Sequence, residues 1–519
     1  MVRLHWGNLR MVTLQNRFNL ILTNMRRSAA LSSTLLLSLF ALAACNTTEN
    51  PDVPTSEVVL KSYSTNPALV KSLSGFSDLQ VMPLISSDDK LEQSPNFVYG
   101  GQPDGAGLMK NPNGEGYIFI TNHEYLRSAS RVMLDKTFKP VKGEYVVNYD
   151  GGTWRLCSAT LATPETHGFG PLFLTAGESG SESMVHAINP AGAADPTNKN
   201  RVLPALGKAS MENAVPLPKD AYTGKTVVII GEDDSNGQLL AYVSNTVGDL
   251  QGGKLYFLRA KNQDPVETSM EVGKTYDVEF VEVDNASAST GSQIAAQSVE
   301  KKAIQFARVE DVDYRKGGGA NSREVYFTAT GVSQSDKKTP VTGKTMWGRV
   351  YRLVMDASNP LVGKLTPVID GNVNPGNSIV NPDNLCVTNN YVYIQEDGDS
   401  FYLDNKHDGR IWQFNIATGE NKPMLEMNHQ RDNSTFNSKY NTTNTQLLSS
   451  WEYGAMLDVS DIVGKPNTFL INLHPHTWRD MKYSNPDGSS ITKAVSITDG
   501  NTGSFAEGGQ TVIVTGIPR

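Results

Sequence analysis

The feature that most constrains this chain is a recurring pair: a short apolar run that breaks directly into polar, mostly acidic residues. Tyr117-Ile118-Phe119-Ile120 runs into Thr121-Asn122-His123-Glu124, and Leu172-Phe173-Leu174 into Thr175-Ala176-Gly177-Glu178. The run at 227–230 meets Gly231-Glu232-Asp233-Asp234, and Val325-Tyr326-Phe327 meets Thr328-Ala329-Thr330. The run at 391–394 meets Gln395-Glu396-Asp397, and Phe469-Leu470-Ile471 meets Asn472-Leu473-His474-Pro475-His476. Runs this short, bounded by turn residues, predict strands, and their recurrence predicts blade-sized units with loop insertions.

A second polar group precedes each of the last five runs: Cys157-Ser158, Glu212-Asn213, Arg308-Val309-Glu310-Asp311, Asp383-Asn384 and Trp451-Glu452. A short strand and a turn separate the two groups, as in a β-hairpin. The two ends of an antiparallel hairpin share one edge, so both groups should emerge at one mouth of a ring of hairpins. The expected fold is all-β, a six-bladed β-propeller with loop insertions. Gly253-Lys254-Leu255-Tyr256, Gly348-Arg349-Val350-Tyr351 and Gly409-Arg410-Ile411-Trp412 read as recurring outer strands. With 45 Gly, 26 Pro and 19% charged residues, long helices are not expected, and residues 285–299 read as a loop or short helix.

A net charge of −8 leaves no basic stripe for a nucleic acid. Near the start, Met25-Arg26-Arg27, an apolar run over 35–44 and Leu42-Ala43-Ala44-Cys45 have the form of a bacterial lipoprotein signal. The run is too short for a bilayer core of ~30 Å. Residues 1–45 are expected to be a signal segment starting at Met25, with Cys45 lipidated, residues 46–75 a polar tether, and 76–519 the propeller. The cell envelope, periplasm or outer membrane, is the expected location. Cys157 and Cys386 could pair, lie buried, or bind metal.

Carboxylates and amides are hard ligands that suit calcium, while a thiolate among carboxylates suits iron or another transition metal. Of eight His, His123, His474 and His476 fall in the polar groups. His167, His186, His407 and His429 read as surface residues, and no zinc site of the usual His/Cys spacing appears. With no Gly-rich phosphate loop and no nucleophile-elbow Ser, chemistry is expected from metal-activated water. Arg308 lies two residues before Glu310 and on the same strand face, placed either to bind a phosphoryl oxygen or to ion-pair with Glu310.

The ordered set Asn122-His123-Glu124-Tyr125, Cys157, Glu212, Arg308-x-Glu310-Asp311, Pro382-Asp383-Asn384-Leu385 and Glu396-Asp397 resembles the signature of the PhoX alkaline phosphatases. The resemblance implies a six-bladed propeller holding ferric iron and calcium. It implies hydrolysis of small phosphate monoesters outside the cytoplasm for phosphate acquisition, through a metal-bridging oxygen or hydroxide. Carried over, Cys157, Glu212 and Glu310 are iron ligands, and Asn122 and Arg308 contact phosphate. Glu124, Glu178, Glu232, Asp233, Asp234, Asp383, Glu396 and Asp397 join them as metal ligands, mostly for calcium. Cys157 is followed by Ser-Ala-Thr rather than the family's glycines and tryptophan, and Val309 stands in the family's Arg-Pro-Glu. A monomer is expected. The rival expectations are a calcium-dependent phosphodiesterase or phytase-like propeller and a non-catalytic calcium-binding surface propeller.

Overall fold

The computed structural model describes residues 57–147, 154–194, 201–335, 338–374, 377–397, 407–442, 450–484 and 506–519. The expected signal segment, with Cys45, lies outside the described residues.

The chain is all-β, built as antiparallel meanders in a propeller-like arrangement. Each apolar run of the sequence is a strand: Tyr117–His123, Leu172–Gly177, Thr226–Glu232, Glu324–Ala329, Tyr391–Glu396 and Thr468–His474. Each pairs with the strand before it: Pro103–Lys110, Leu156–Ala162, Met211–Pro216, Val309–Tyr314, Pro382–Val387 and Glu452–Asp458. These leading strands are the inner ones. Each touches the next in chain order, and Glu452–Asp458 touches Pro103–Lys110, so among the described residues they form a closed ring.

Outside the ring the sheets differ in size. Tyr276–Glu282 and Val362–Asp370 pair across two neighbouring meanders and join them into one nine-stranded sheet. The third strand of the unit that begins at Met211 is Leu239–Ser244, so the strand Lys254–Ala260 is fourth and not equivalent to Arg349–Met355 or Arg410–Asn415. An early and the last described strand share one sheet, where Gln80–Ser86 pairs with Gln510–Thr515. Val70–Ser72, in the stretch expected as tether, adds to the edge strand Asn421–Met427. The Ser/Ala/Gln stretch forms a helix over Gly291–Glu300, started by a Thr290/Gln293 capping box.

Apolar side chains fill the spaces between sheets. Phe327, for example, stacks on Tyr351 at 4.9 Å and meets Phe306 edge-on at 5.3 Å. Each large apolar side chain so buried contributes about 1.5–3 kcal/mol. His167, His186, His407 and His429, expected at the surface, are buried. Their apolar edges pack on aromatic rings, as His429 does on Trp451 at 3.8 Å and His186 on Trp154 at 5.0 Å.

One irregularity repeats in all six inner strands. Two inner-strand residues face a single residue of the next strand, a β-bulge. The bulged pairs are Asp104-Gly105, Cys157-Ser158, Glu212-Asn213, Glu310-Asp311, Asp383-Asn384 and Gly454-Ala455. The single residues opposite are Asn122, Ala176, Gly231, Thr328, Gln395 and Asn472. Four of these reach the bulge carbonyl of the following inner strand: Asn122 to Cys157 O, Thr328 to Asp383 O (2.7 Å), Gln395 to Gly454 O, and Asn472 to Asp104 O (2.6 Å). Gly231 serves by its absence of a side chain, since a Cβ there would sit 2.3 Å from Glu310 O. The bulges therefore do two jobs: they latch neighbouring units together and re-aim side chains toward the axis.

Candidate metal centre

The bulge explains why the polar residues converge. Its first residue is Asp104, Cys157, Glu212, Glu310 or Asp383 in five hairpins, and all five are buried. Their ligand atoms form linked triads within 4.8 Å: Asp104, Cys157 and Glu212; Glu212, Glu310 and Asp383; and, through Cys157 again, Glu124 and Glu178. The second bulge residues form a hydrogen-bonded layer. Ser158 Oγ donates to Asn384 Oδ1 (2.8 Å), and Asn213 donates to Asp311, whose other oxygen accepts from Leu385 N–H (2.9 Å).

Two further positions recur at the mouth. Two residues before the bulge stand Gln102, Arg155, Ser210, Arg308, Asn381 and Glu452; Arg308, Gln102 and Asn381 adopt the left-handed backbone (φ 64°, 47° and 44°). A non-glycine residue there is uncommon and strained, and such strain gathers at functional sites. One residue past the partner strand's last pairing before the bulge stand Glu124, Glu178, Asp233, Thr330, Asp397 and His474. The arginines join these positions. Arg308 Nε meets Asp233 Oδ1 at 2.7 Å, its Nη2 meets Glu310 Oε1 at 2.8 Å, and its Nη1 lies 4.0 Å from Asp397 Oδ2. Arg155 spans Glu124 (3.3 Å) and Glu178 (3.0 Å) in the same manner.

The electrostatics call for cations. Burial, then Glu212 and Glu124, push the Asp104 carboxyl well above its usual range. Burial and Glu310 do the same to Glu212 and Asp383, and burial and Asp233 to Glu310 and Glu178. Burial and Glu212 push the Cys157 thiol up, and it donates to Glu178 Oε2 at 3.2 Å. Burial opposes ionisation of Asp233 as well, but Arg308 holds it below the ordinary carboxylate range. Asp104 Oδ1, Asp383 Oδ1 and Asn122 Oδ1 are buried without a hydrogen-bond partner. Buried polar atoms are normally satisfied, so these oxygens have the character of hard metal ligands.

The profile of the family described as Alkaline phosphatase PhoX matches residues 185–446, just over half of the chain. This chain belongs to the PhoX alkaline phosphatase family. No curated protein sequence matches it. Among solved structures it is similar to Pseudomonas fluorescens PhoX in complex with vanadate, a transition state analogue, with 14% identity and a TM-score of 0.57 over 88% of this chain and 99% of that one. A putative 6-phosphogluconolactonase from Bacteroides uniformis (13% identity, TM-score 0.31, 62% and 85% of the two chains) and a Fusarium graminearum α-L-arabinofuranosidase (10%, 0.36, 84% and 98%) are more distantly similar.

Of the residues that the PhoX resemblance singles out, the fold gathers Cys157, Glu212, Glu310, Glu124, Glu178 and Asp383 as one group, with Asp233, Asp397 and Arg308 beside it. Glu232, Asp234 and Glu396 stand apart. Successive strand residues alternate faces, so in Glu232-Asp233 and Glu396-Asp397 only the second residue points to the mouth. Glu232 Oε2 accepts from Gln238 N–H (3.1 Å), and Asp234 caps an exposed turn through Asn236 N–H (2.9 Å). Glu396 is saturated by Trp412 Nε1–H (2.7 Å) and by the N–H groups of Arg410 and Val380. The amide nitrogen of Asn122 is committed to Cys157 O and Thr175 Oγ1, which places it in the latch that Asn472 repeats. His123 is held on Ser130 Oγ at 2.8 Å, away from the acids. Asp104 and Arg155 were not anticipated. Pro103-Asp104-Gly105 reads as a turn, and Arg155 carries no motif of its own; alignment on the bulge would have exposed both.

Proposed function

We propose that this protein is a metal-dependent phosphomonoester hydrolase, a six-bladed propeller with an axial centre of iron and calcium. The observation that carries the reading is Cys157 among the buried carboxylates of Asp104, Glu212, Glu310, Asp383 and Glu178, with Arg308 at the rim. Cys157, Glu212 and Glu310 would hold iron, since a thiolate suits a transition metal. Glu124, Glu178, Asp233, Asp383 and Asp397 would complete calcium sites by oxygen ligation. When bound, such ions supply Lewis-acid charge and a nucleophilic oxygen at neutral pH.

The protein's own residues supply position and charge. Arg308, 29% exposed at the rim, can offer Nη1 to a phosphoryl oxygen as a charge-assisted donor. Its bonds to Asp233 and Glu310 fix the plane of that guanidinium before substrate arrives. Arg155, equivalent in the repeat, faces the same mouth from the second hairpin and can neutralise charge from the other side. Asn122 positions the Cys157 backbone rather than the substrate. The buried second layer of Ser158, Asn213, Asp311 and Asn384 keeps the acids in place from below.

Export with a lipid anchor at Cys45 fits this reading, because phosphate esters would be met outside the cytoplasm. The rival calcium-only readings give no use for a thiol at the centre of the ring.

The test compares p-nitrophenyl phosphate with bis-p-nitrophenyl phosphate. Monoester turnover that falls on metal chelation and in Arg308→Ala is expected. Turnover of the diester alone would contradict the monoesterase assignment.

A further inference from the structure

The sixth hairpin breaks the pattern of the other five. At the bulge, where they place a ligand, it has Gly454, and a Cβ there would lie 2.4 Å from Pro103 O and 2.8 Å from His474 Nε2. The space is given to an imidazole. His474 occupies the rim position that Glu124, Glu178, Asp233 and Asp397 occupy elsewhere, and Glu452 takes the position of Arg155 and Arg308.

We propose that Glu452, His474 and His476, at the mouth beside the axial acids, bind one divalent transition-metal ion of the zinc class. One oxygen or nitrogen from each lies within 4.8 Å of the other two. Glu452 Oε2 is 3.0 Å from His476 Nε2 and 3.6 Å from His474 Nδ1. Ligands ~2.0–2.1 Å from a zinc-class ion stand roughly 2.9–3.4 Å apart, so only small shifts are needed.

The far nitrogen of each ring is already anchored. His474 Nε2 lies 2.8 Å from Pro103 O, so it carries the proton, and Nδ1 presents its lone pair to the cluster. His476 Nδ1 lies 2.8 Å from Glu507 Oε2, which directs Nε2 toward Glu452. Glu507 is itself fixed by Arg479 Nη2 at 2.6 Å and by Gln102 Nε2 at 2.8 Å. A carbonyl or carboxylate behind each imidazole is the arrangement that orients metal-ligating histidines. An imidazolium at His476 bridging Glu452 and Glu507 explains that ring alone. It leaves His474 Nδ1, fully buried, with only the long 3.6 Å approach of Glu452 Oε2. A cation among the three satisfies both rings and the carboxylate. Two imidazoles select a borderline metal over calcium, so its ion differs in kind from those that the carboxylates of the axis suit.

The test uses the full-length protein, stripped with chelator and titrated with Co2+. Wild type should take one equivalent that gives visible d–d absorption without thiolate charge transfer. Cys157→Ser should keep that equivalent and His476→Ala should lose it, while the near-ultraviolet thiolate band of His476→Ala reports an intact fold and axis. Glu507→Gln should weaken it about 10–100-fold. Wild-type crystals soaked in Zn2+ should show an anomalous peak among the three side chains. Equal Co2+ stoichiometry and spectra in wild type and His476→Ala, or no peak, would overturn the proposal. Neither readout uses phosphate-ester turnover, so failure of the phosphatase reading is a different result.

Discussion

Cys157 Sγ donates to Glu178 Oε2 across 3.2 Å, inside a group where burial and neighbouring acids hold both protons in place. An ion bound there takes over what the proton does. Cys157→Ser should therefore reduce transition-metal content and abolish thiolate-to-metal absorption, with at least ~10²-fold lower turnover. Unchanged absorption in Cys157→Ser would remove the thiol from the centre.

Arg308 holds Asp233 and Glu310 through one planar fork. Lysine cannot bridge in that way. Arg308→Lys should lower kcat/KM for a phosphomonoester by about 10²-fold, and Arg308→Ala by no less, measured at saturating metal. Near wild-type kinetics in Arg308→Lys would mean that only a point charge is needed.

Asn122 and Asn472 make equivalent bonds to bulge carbonyls in the next inner strand. If both are latches, Asn122→Ala and Asn472→Ala should each cost about 1–3 kcal/mol of stability by leaving a buried carbonyl unpaired. Denaturant melts of the metal-loaded variants check this. An Asn122 variant that loses activity with no loss of stability would return that residue to substrate contact.

The metal-free protein should lose stability as pH rises. The folded-state carboxyls of Asp104, Glu212, Glu310 and Asp383 lie above the unfolded range through burial and mutual repulsion, and burial raises Asp311 to about 7 and Glu232 to about 8. For a raised group, stability is complete below the unfolded pKa of about 4 and falls as pH climbs through the folded value. Metal ligation needs the deprotonated forms, so loading should reverse the slope. Thermal melts with and without chelator between about pH 5 and pH 8 give the two slopes; parallel slopes would mean that the acids hold no metal.

Much of this was legible in the sequence because period-2 strands and turns leave strong marks. The second strand of every hairpin was evident from its apolar run, and Cys157, Glu212, Glu310 and Asp383 stood out as polar residues preceding one. What the sequence hid was the bulge. It shifts the face of each inner strand by one residue and aims Glu212, Glu310 and Asp383 at the axis, while plain alternation along the partner strand turns Asp233 and Asp397 to the mouth and Glu232 and Glu396 away from it. It also brings Asp104, in what reads as a Pro-Asp-Gly turn, into the central group of candidate ligands. The buried histidines were misread because a ring that packs on Trp451 or Trp154 leaves no periodic trace.

The most direct measurement of the central claim is metal content and phosphomonoester turnover on the same preparation, wild type beside Asp104→Asn. Asp104 tests the bulge geometry, since the motif resemblance did not supply it. Active wild type is expected to carry iron and calcium, and Asp104→Asn to lose bound metal together with about 10–100-fold of turnover. Full metal content and full activity in Asp104→Asn, or a wild type that turns over substrate after complete metal removal, would contradict it.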